Sequence, residues 1–361
     1  MNTPVLDQVK APPEKRADPR RYFETIGEER TPVAAQDPVC LYLEVTNRCN
    51  LLCTTCPRTF EELEPPSDMS WELFTSIVEQ FPKIERVVLH GVGEPMMVAE
   101  LPKMVRYLKQ RGVYVLFNTN GTLMREKKSR ELIEAGLDEM RISLDAAEPK
   151  AFEAVRGRDL FDRIVRNVRN FVALKNRMDA ANPRLSLWLT GLRETVEQLP
   201  AFIRLAHSMR IMEVHLQRLV YFESNRIGLA RPESSLFEQR DREEGKHFLE
   251  AEKLAAELGV FFNASGAVDP ETSLRPSGAD APWSLCRRPW SLMYFTAHGR
   301  ALPCCIAPFS MRGYQNFTLG DARTAPLREI WNGQEYRSFR EALLSDDPPP
   351  SCSGCGLRWS L

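Results

Sequence analysis

Three cysteines lie within eight residues in the stretch "NRCNLLCTTCPR", from Asn47 to Arg58. Cys49, Cys53 and Cys56 give the spacing C-x3-C-x2-C. A structural zinc ion takes four protein ligands, and no fourth ligand follows nearby. Three thiolates on a cubane 4Fe-4S cluster instead leave one iron without a protein ligand, where a small molecule can coordinate. The triplet therefore predicts a cluster that binds its partner molecule directly.

A second group of cysteines lies towards the C-terminus. Its members are Cys286, Cys304, Cys305, Cys352 and Cys355. A zinc ion held by four thiolates is compatible with the C-x2-C pair and distant partners. Together with Cys40 the chain has nine cysteines, an odd number that argues against a closed disulfide framework. Clustered thiols in a reducing compartment indicate metal binding or catalysis.

Composition sets the class of protein. The 361 residues are 43% hydrophobic and 27% charged, which is typical of a globular chain. A formal net charge of -1 gives no general attraction to nucleic acid. No apolar run approaches the roughly 20 residues of a membrane helix, and the N-terminus has no apolar signal core. We expect a cytoplasmic protein with neither a membrane nor a nucleic acid as its partner.

The elements that must position the triplet follow from apolar periodicity. In "WELFTSIVEQF" the apolar residues share one helical face, with Ser70 as N-cap. The predicted strands are "LYLEV", "RVVLHG", "VYVLFNTNG", "MRISLDA", "RLSLWLTG" and "EVHLQRLV". Six strands with helices between them require parallel pairing, in an open doubly wound sheet or an incomplete barrel. Both place the site at the C-terminal ends of the strands, where the triplet lies.

Four segments are predicted along the chain. Residues 1–38 form a polar, proline-rich N-terminal arm, 39–225 the core, 226–283 a bridging helical segment and 284–361 a second domain. This last segment contains a predicted hairpin that turns at His298 and Gly299. It has little regular structure and five of the nine cysteines, so we expect metal ligation to supply much of its folding free energy.

The triplet after the first strand resembles the signature of the radical S-adenosylmethionine (radical SAM) superfamily. The resemblance covers about residues 39–225 and implies a partial (β/α)6 TIM-like barrel. In that family the open iron binds SAM, one electron cleaves the sulfonium, and a 5'-deoxyadenosyl radical removes a substrate hydrogen. One position departs from the family pattern, because Thr55 stands where an aromatic residue usually packs near the adenine.

The resemblance also implies a set of residues that contact SAM. They are Gly91, Gly93, Glu94, Pro95, Asn120, Ser143, Asp145 and Arg156. The glycines of "GVGEP" allow close backbone approach, and Glu94 can accept a hydrogen bond from an ammonium. Arg156 suits a carboxylate because of its fork of donors. For Asn120, Ser143 and Asp145 the alternative is ordinary turn chemistry after a strand.

The C-terminal cysteines resemble a Twitch domain, the short relative of the SPASM domain. The pattern is C-x12-G-x4-C with a later C-x2-C, in which Gly299 favours Cys304 over Cys305. The resemblance implies that Cys286, Cys304, Cys352 and Cys355 hold one auxiliary 4Fe-4S cluster in a small α+β domain. Zinc remains the alternative metal. Cys40 and Cys305 are left without a role.

The function hypothesis follows from the two clusters. A cluster with four thiolates has no open iron, so its role is electron transfer. The leading hypothesis is a radical SAM oxidoreductase that dehydrogenates a small molecule, with the auxiliary cluster as electron acceptor. The second proton requires a base within hydrogen-bond reach. The candidates are Glu194, Gln217, Arg218 and Tyr221.

Two other hypotheses remain open. The first is a radical SAM maturase that crosslinks, epimerises or oxidises a residue of a peptide substrate. The second is a non-catalytic iron-sulfur carrier or zinc-stapled binding protein, which would not need "GVGEP" after the second strand. For either enzyme, family analogy implies a flavodoxin or a ferredoxin as the reductant.

Overall fold

The computed structural model describes residues 30–221, 228–236, 242–264, 270, 281–353 and 355. The strands are β1 (Cys40–Leu43), β2 (Arg86–Val88), β3 (Tyr114–Thr119), β4 (Glu139–Ser143), β5 (Arg184–Gly191), β6 (Glu213–Arg218), β7 (Phe261–Ala264), β8 (Leu292–Phe295), β9 (Arg300–Leu302) and β10 (Gly320–Asp321). The helices are α1 (Trp71–Glu79), α2 (Leu101–Lys109), α3 (Glu126–Glu134), α4 (Pro149–Arg156), α5 (Phe161–Arg177), α6 (Leu199–Ser208), α7 (Arg242–Leu258), α8 (Ala307–Ser310), α9 (Leu327–Trp331) and α10 (Gln334–Leu343).

The strands form one ten-stranded sheet in the order β10-β9-β8-β1-β2-β3-β4-β5-β6-β7. Strands β1 to β7 pair in parallel, and β8 pairs in parallel with β1. Parallel strands need helical crossovers, and these cover one face of the sheet with apolar side chains. The predicted mixed α/β fold with a parallel sheet is therefore confirmed.

Alternation along the strands separates an apolar face from a more polar one. In β1, Leu41 and Leu43 belong to the main core beneath the helices, whereas Tyr42 packs in a separate cluster on the other face. Helix α1 likewise has one buried apolar face. Its Phe74 and Ile77 are buried, and the Ser70 side chain accepts from the backbone N–H of Leu73 as predicted.

The sheet extends beyond the six strands that the sequence predicts. Strand β7 adds a seventh parallel strand beside β6, after helix α7 of the bridging segment. On the other side the hairpin of β8 and β9 joins the core sheet next to β1. The segment 226–283, predicted as a bridging helical segment, thus also contributes a strand. Strand β7 has only four residues, and Phe261 is exposed at the sheet edge.

The end of the N-terminal arm packs on the C-terminal part of the chain. Asn332 exchanges two hydrogen bonds with the backbone of Ala34, at 2.9 and 3.0 Å. The indole of Trp331 donates to the carbonyl of Gln36 at 2.8 Å. Backbone groups of an irregular segment bind here, and periodicity cannot reveal such contacts. Residues 1–29 of the arm lie outside the described part, as do stretches of the bridging segment.

Within the described ranges, no helix is both long enough and apolar enough to cross a lipid bilayer.

Candidate functional site

The cysteine triplet lies in the loop after β1, at the C-terminal edge of the sheet. Contacts to distant parts of the chain position this loop. The hydroxyl of Thr54 donates to the carbonyl of Val155 at 3.0 Å, and Thr59 donates to the carbonyl of Cys53 at 2.9 Å. The N–H of Leu229 donates to the carbonyl of Thr54 at 2.7 Å. A loop with no regular structure of its own thus gains a defined shape.

The three thiols lie close enough to influence one another. Burial, followed by the neighbouring Cys53 thiol, raises the pKa of Cys56 to about 12. Burial also raises the pKa of Cys49. Arg156 places its Nη1 atom 3.7 Å from the Cys53 sulfur. These are partly buried thiols with a cation beside them, a suitable setting for thiolates that bind metal.

The "GVGEP" segment packs directly beneath the cysteine loop. A Cβ on Gly93 would overlap the carbonyl oxygen of Thr46, and a Cβ on Gly91 would overlap the Glu44 side chain. The N–H of Glu94 donates to the carbonyl of Arg48 at 2.8 Å. The glycines therefore allow the backbone of this segment to approach the cysteine loop closely.

Glu94 is almost fully buried, and its carboxylate accepts three hydrogen bonds. The donors are the Thr119 hydroxyl at 2.7 Å, the Asn120 N–H at 2.7 Å and the Met96 N–H at 3.0 Å. Burial raises the pKa of Glu94, while these bonds favour the ionised form. Glu94 joins the second and third strand ends, and its contact with a SAM ammonium stays a prediction. The neighbouring Pro95 is buried and begins a short 3-10 turn.

Asn120 connects the third strand end to the cysteine loop. Its Nδ2 donates to Oδ1 of Asn50 at 2.9 Å and lies 3.9 Å from the Cys49 sulfur. Its Oδ1 accepts from the hydroxyl of Thr122 at 2.6 Å, and Asn50 donates to the same hydroxyl at 2.7 Å. The turn chemistry considered for Asn120 is thus present, and it also reaches a predicted cluster ligand.

Asp145 and Arg156 form a buried ion pair above the fourth strand. The Nε of Arg156 lies 2.7 Å from Oδ2 of Asp145, and the N–H of Thr190 donates to Oδ1 at 2.7 Å. Arg156 therefore bridges the carboxylate and Cys53. Ser143 ends β4 on the same edge and is half-buried. These positions adjoin the cysteine loop, and their contacts with SAM stay predictions.

Glu44 is a site residue that the sequence analysis did not single out. It is fully buried, and its carboxylate accepts from the Tyr294 hydroxyl at 2.8 Å, the Val92 N–H at 2.9 Å and the Ala297 N–H at 3.1 Å. A glutamate within the otherwise apolar run "LYLEV" could have indicated a buried carboxylate with specific partners. Glu44 connects β1, the "GVGEP" segment and the C-terminal hairpin.

Replacing Glu44 by alanine is expected to lower the free energy of unfolding by about 3 kcal/mol or more, because three buried donors lose their acceptor. The matched variant Tyr294→Phe removes one of these bonds and should cost about 1 kcal/mol. Urea unfolding of the apo protein, followed by tryptophan fluorescence under anaerobic conditions, measures both. Equal losses in the two variants would contradict the role assigned to Glu44.

The predicted auxiliary ligands line one mostly apolar cavity. Its cysteines are Cys286, Cys304, Cys352 and Cys355. Burial raises the pKa of Cys304 to about 12, with added effects from the nearby thiols. Cys305 does not line this cavity; it acts on the pKa values of Cys40 and of Cys304. Both cysteines follow the end of β9 at Leu302, so the alternation of a strand does not separate them.

The four base candidates occupy different positions. Glu194 is exposed and accepts from the Ser234 hydroxyl at 2.6 Å. Arg218 donates to the carbonyl of Cys355 at 2.9 Å, which connects the sixth strand end to the auxiliary cavity. Gln217 and Tyr221 are half-buried at the same strand end.

The chemistry of the two donor sets suits iron-sulfur clusters. All nine cysteines are free thiols. In the described part of the chain, no three histidine, cysteine or carboxylate side chains converge as a ready site for a single metal ion. Each donor set consists of thiols, the ligands of iron-sulfur clusters. The triplet lies in a partly buried loop beside the Arg156 guanidinium, and the C-terminal set lines a cavity with Arg288. The residues present therefore fit two clusters.

Comparison with known proteins gives matches over both cysteine groups. Residues 43–206 match the model of the radical SAM superfamily, and residues 286–356 match SPASM, an iron-sulfur cluster-binding domain. The PqqA peptide cyclase of Streptomyces rochei is 30% identical over 320 residues, which is 87% of this chain and 81% of the cyclase. A tungsten-containing aldehyde ferredoxin oxidoreductase cofactor-modifying protein of Pyrococcus furiosus is 24% identical over 334 residues, 88% of this chain and 87% of that protein.

Solved structures show the same fold. Streptococcus suis SuiB bound to the precursor peptide SuiA has a TM-score of 0.62 at 14% identity, covering 93% of this chain and 74% of SuiB. SuiB bound to S-adenosylmethionine also has a TM-score of 0.62, at 16% identity over 88% of this chain and 72% of SuiB. The two matched domains use SAM with a 4Fe-4S cluster and an auxiliary iron-sulfur centre. The chain belongs to the radical SAM superfamily, among the members that carry a C-terminal SPASM domain.

Proposed function

We propose that this radical SAM enzyme carries out a two-electron oxidation of a peptide, of the kind that forms a crosslink. The observation that carries the proposal is the similarity to a peptide cyclase through both cysteine-bearing domains, at 30% identity over 87% of this chain. The first alternative from the sequence, a peptide maturase, is thereby favoured over a small-molecule dehydrogenase.

Two hydrogen bonds connect the C-terminal part of the chain to the sheet that carries the triplet. Glu44 after β1 accepts from Tyr294 of β8, and Arg218 at the end of β6 donates to the carbonyl of Cys355. The second contact brings Cys355 of the auxiliary cavity to the C-terminal edge of the sheet, the edge after which the triplet lies. The proposed oxidation needs a substrate bound at this edge.

The chain's own residues would divide the work as follows. Cys49, Cys53 and Cys56 would hold the SAM-binding cluster, and the cavity cysteines the auxiliary one. When bound, SAM and the clusters supply hydrogen-atom abstraction and acceptance of one electron. A proton must also leave the substrate, which needs a base within hydrogen-bond reach. Glu194, in the loop after β5, is the carboxylate among the four candidates and suits that role.

The test uses reconstituted enzyme under anaerobic conditions with dithionite, SAM and synthetic peptides encoded beside its gene. We expect 5'-deoxyadenosine and a peptide that has lost two hydrogen atoms, with deuterium from a labelled peptide appearing in the 5'-deoxyadenosine. Cys304→Ala should still cleave SAM but form less oxidised peptide, whereas the matched Cys305→Ala should form as much as the wild type. SAM cleavage without any change in peptide mass would count against a peptide substrate.

A small-molecule oxidation is the second candidate. The similarity to the Pyrococcus furiosus cofactor-modifying protein spans 88% of this chain and favours it. Transfer of deuterium from a labelled cell extract, rather than from peptides, would identify this outcome.

A further inference from the structure

Arg288 is a fully buried cation that neither the sequence analysis nor the proposed reaction uses. It lies in the short turn Arg288–Trp290 before β8 and is 1% exposed. Its side chain lines the cavity that contains Cys286, Cys304 and Cys355. An isolated buried charge is costly, so such a residue needs a compensating partner.

Arg288 has a buried donor atom, its Nε, that no hydrogen bond satisfies in the described part of the chain. Arg340 is equally buried, yet its guanidinium donates to the carbonyls of Pro289 and Pro32 at 2.8 and 3.1 Å. It also lies 4.3 Å from the ring of Trp331. Arg340 thus has neutral partners for two of its nitrogens, whereas the Nε of Arg288 is a buried donor that a group held in the cavity could satisfy.

The charges that act on Arg288 come from thiols. Burial on its own lowers the pKa of Arg288, but its neighbours raise it well above the usual range. These neighbours are Cys305, Cys286, Cys304 and Cys355. Three of these, Cys286, Cys304 and Cys355, are predicted ligands of the auxiliary cluster, and the guanidinium lines the same buried cavity. Charges interact most strongly in such surroundings.

A fixed positive charge beside a thiolate-bound cluster affects its two redox states differently. Accepting one electron adds one negative charge to the buried site. The guanidinium stabilises that state more than the oxidised one, so it raises the reduction potential. Arg keeps its charge at any ordinary pH, so the effect is permanent.

We propose that Arg288 is a positioning residue that sets the reduction potential of the auxiliary cluster and makes it a better electron acceptor. The functional importance of the higher reduction potential rests on the proposed oxidation, because only a cluster that accepts an electron from the substrate benefits from it. Its effect on the potential is a property of the protein without any substrate.

The test is a redox titration followed by electron paramagnetic resonance. The full chain with Cys49, Cys53 and Cys56 replaced by alanine leaves the auxiliary cluster as the source of the signal. Arg288→Gln should lower the reduced-to-oxidised ratio at a fixed potential by at least about tenfold, which corresponds to about 59 mV for one electron. Arg288→Lys keeps the charge and should shift the ratio much less. The control Arg287→Gln, a half-buried neighbour, should leave it nearly unchanged.

Three results would overturn the proposal: an unchanged potential in Arg288→Gln, an equal shift in Arg288→Lys, or an equal shift in Arg287→Gln. If Arg288→Gln binds no auxiliary iron, iron content decides instead. Full loading of Arg288→Lys then supports a role for the charge, and loss of iron from both variants overturns it. Because no substrate is present, failure of the proposed peptide oxidation leaves this measurement unaffected.

Discussion

Replacing Cys49, Cys53 and Cys56 together by alanine is expected to lower the iron content of the reconstituted protein from about eight to about four atoms, since each 4Fe-4S cluster has four irons. The variant should form no 5'-deoxyadenosine from SAM and dithionite. The reason is that the three thiols lie in one loop at the sheet edge, while the other four cysteines line a separate cavity. Iron and labile sulfide assays, with chromatography for 5'-deoxyadenosine, measure both effects.

Cys40→Ala is the matched control for this experiment. Cys40 is a buried residue of β1 and belongs to neither predicted ligand set. Its replacement should leave iron content and SAM cleavage at the level of the wild type. Retention of SAM cleavage by the triple variant, or zinc in place of iron in the wild type, would remove the basis for the site assignment.

Replacing Glu94 by alanine is expected to reduce 5'-deoxyadenosine formation about 100-fold, the upper end of the range for residues that support metal ligands. Three donors lose their acceptor in this variant, namely Met96, Thr119 and Asn120. Each buried donor left without a partner costs about 1–3 kcal/mol. The loss therefore affects both the loop that carries Cys49 and the predicted ammonium contact.

Two further variants separate these effects. Glu94→Gln keeps acceptor capacity for part of the network but lacks the charge, so it should fold better than Glu94→Ala while still binding SAM weakly. Glu100→Ala removes an exposed carboxylate that pairs with Lys103 at 3.0 Å and should behave like the wild type. Equilibrium binding of SAM to each reconstituted protein gives the comparison. Wild-type affinity in Glu94→Gln would show that Glu94 acts only through the fold.

Much of the fold could be predicted because it depends on local patterns. Each predicted helix and strand of the core appears in the structure, and the Ser70 cap was predicted from one residue type. Helix α4 was not predicted, because it is only eight residues long and lies shortly before the longer helix α5. Gly157, in a left-handed conformation, ends it. Strand β7 was missed because pairing with β6, rather than its own periodicity, makes it a strand.

The candidate site was predictable where residue type and spacing carry the chemistry. The triplet and the C-x2-C pair could be read directly, because thiolate ligands of one cluster must come close in space and short spacings ensure it. The choice between Cys304 and Cys305 needed the tertiary structure, because both follow the end of β9 at Leu302, where strand alternation no longer applies. In the structure Cys304 lines the cavity with Cys286, and Cys305 does not.

By itself, the sequence determined the six core strands, the thiol character of both metal sites and the superfamily, since all of these depend on neighbours along the chain. Only the tertiary structure decided which buried charges serve those sites. Glu44 meets Tyr294 across 250 positions, and the Nε of Arg288, with no hydrogen-bond partner among the described residues, lies among thiols from both ends of its domain. The role of such a group depends on its burial and on contacts with residues far away in the sequence. Neither of these produces a recognisable spacing of residues along the chain.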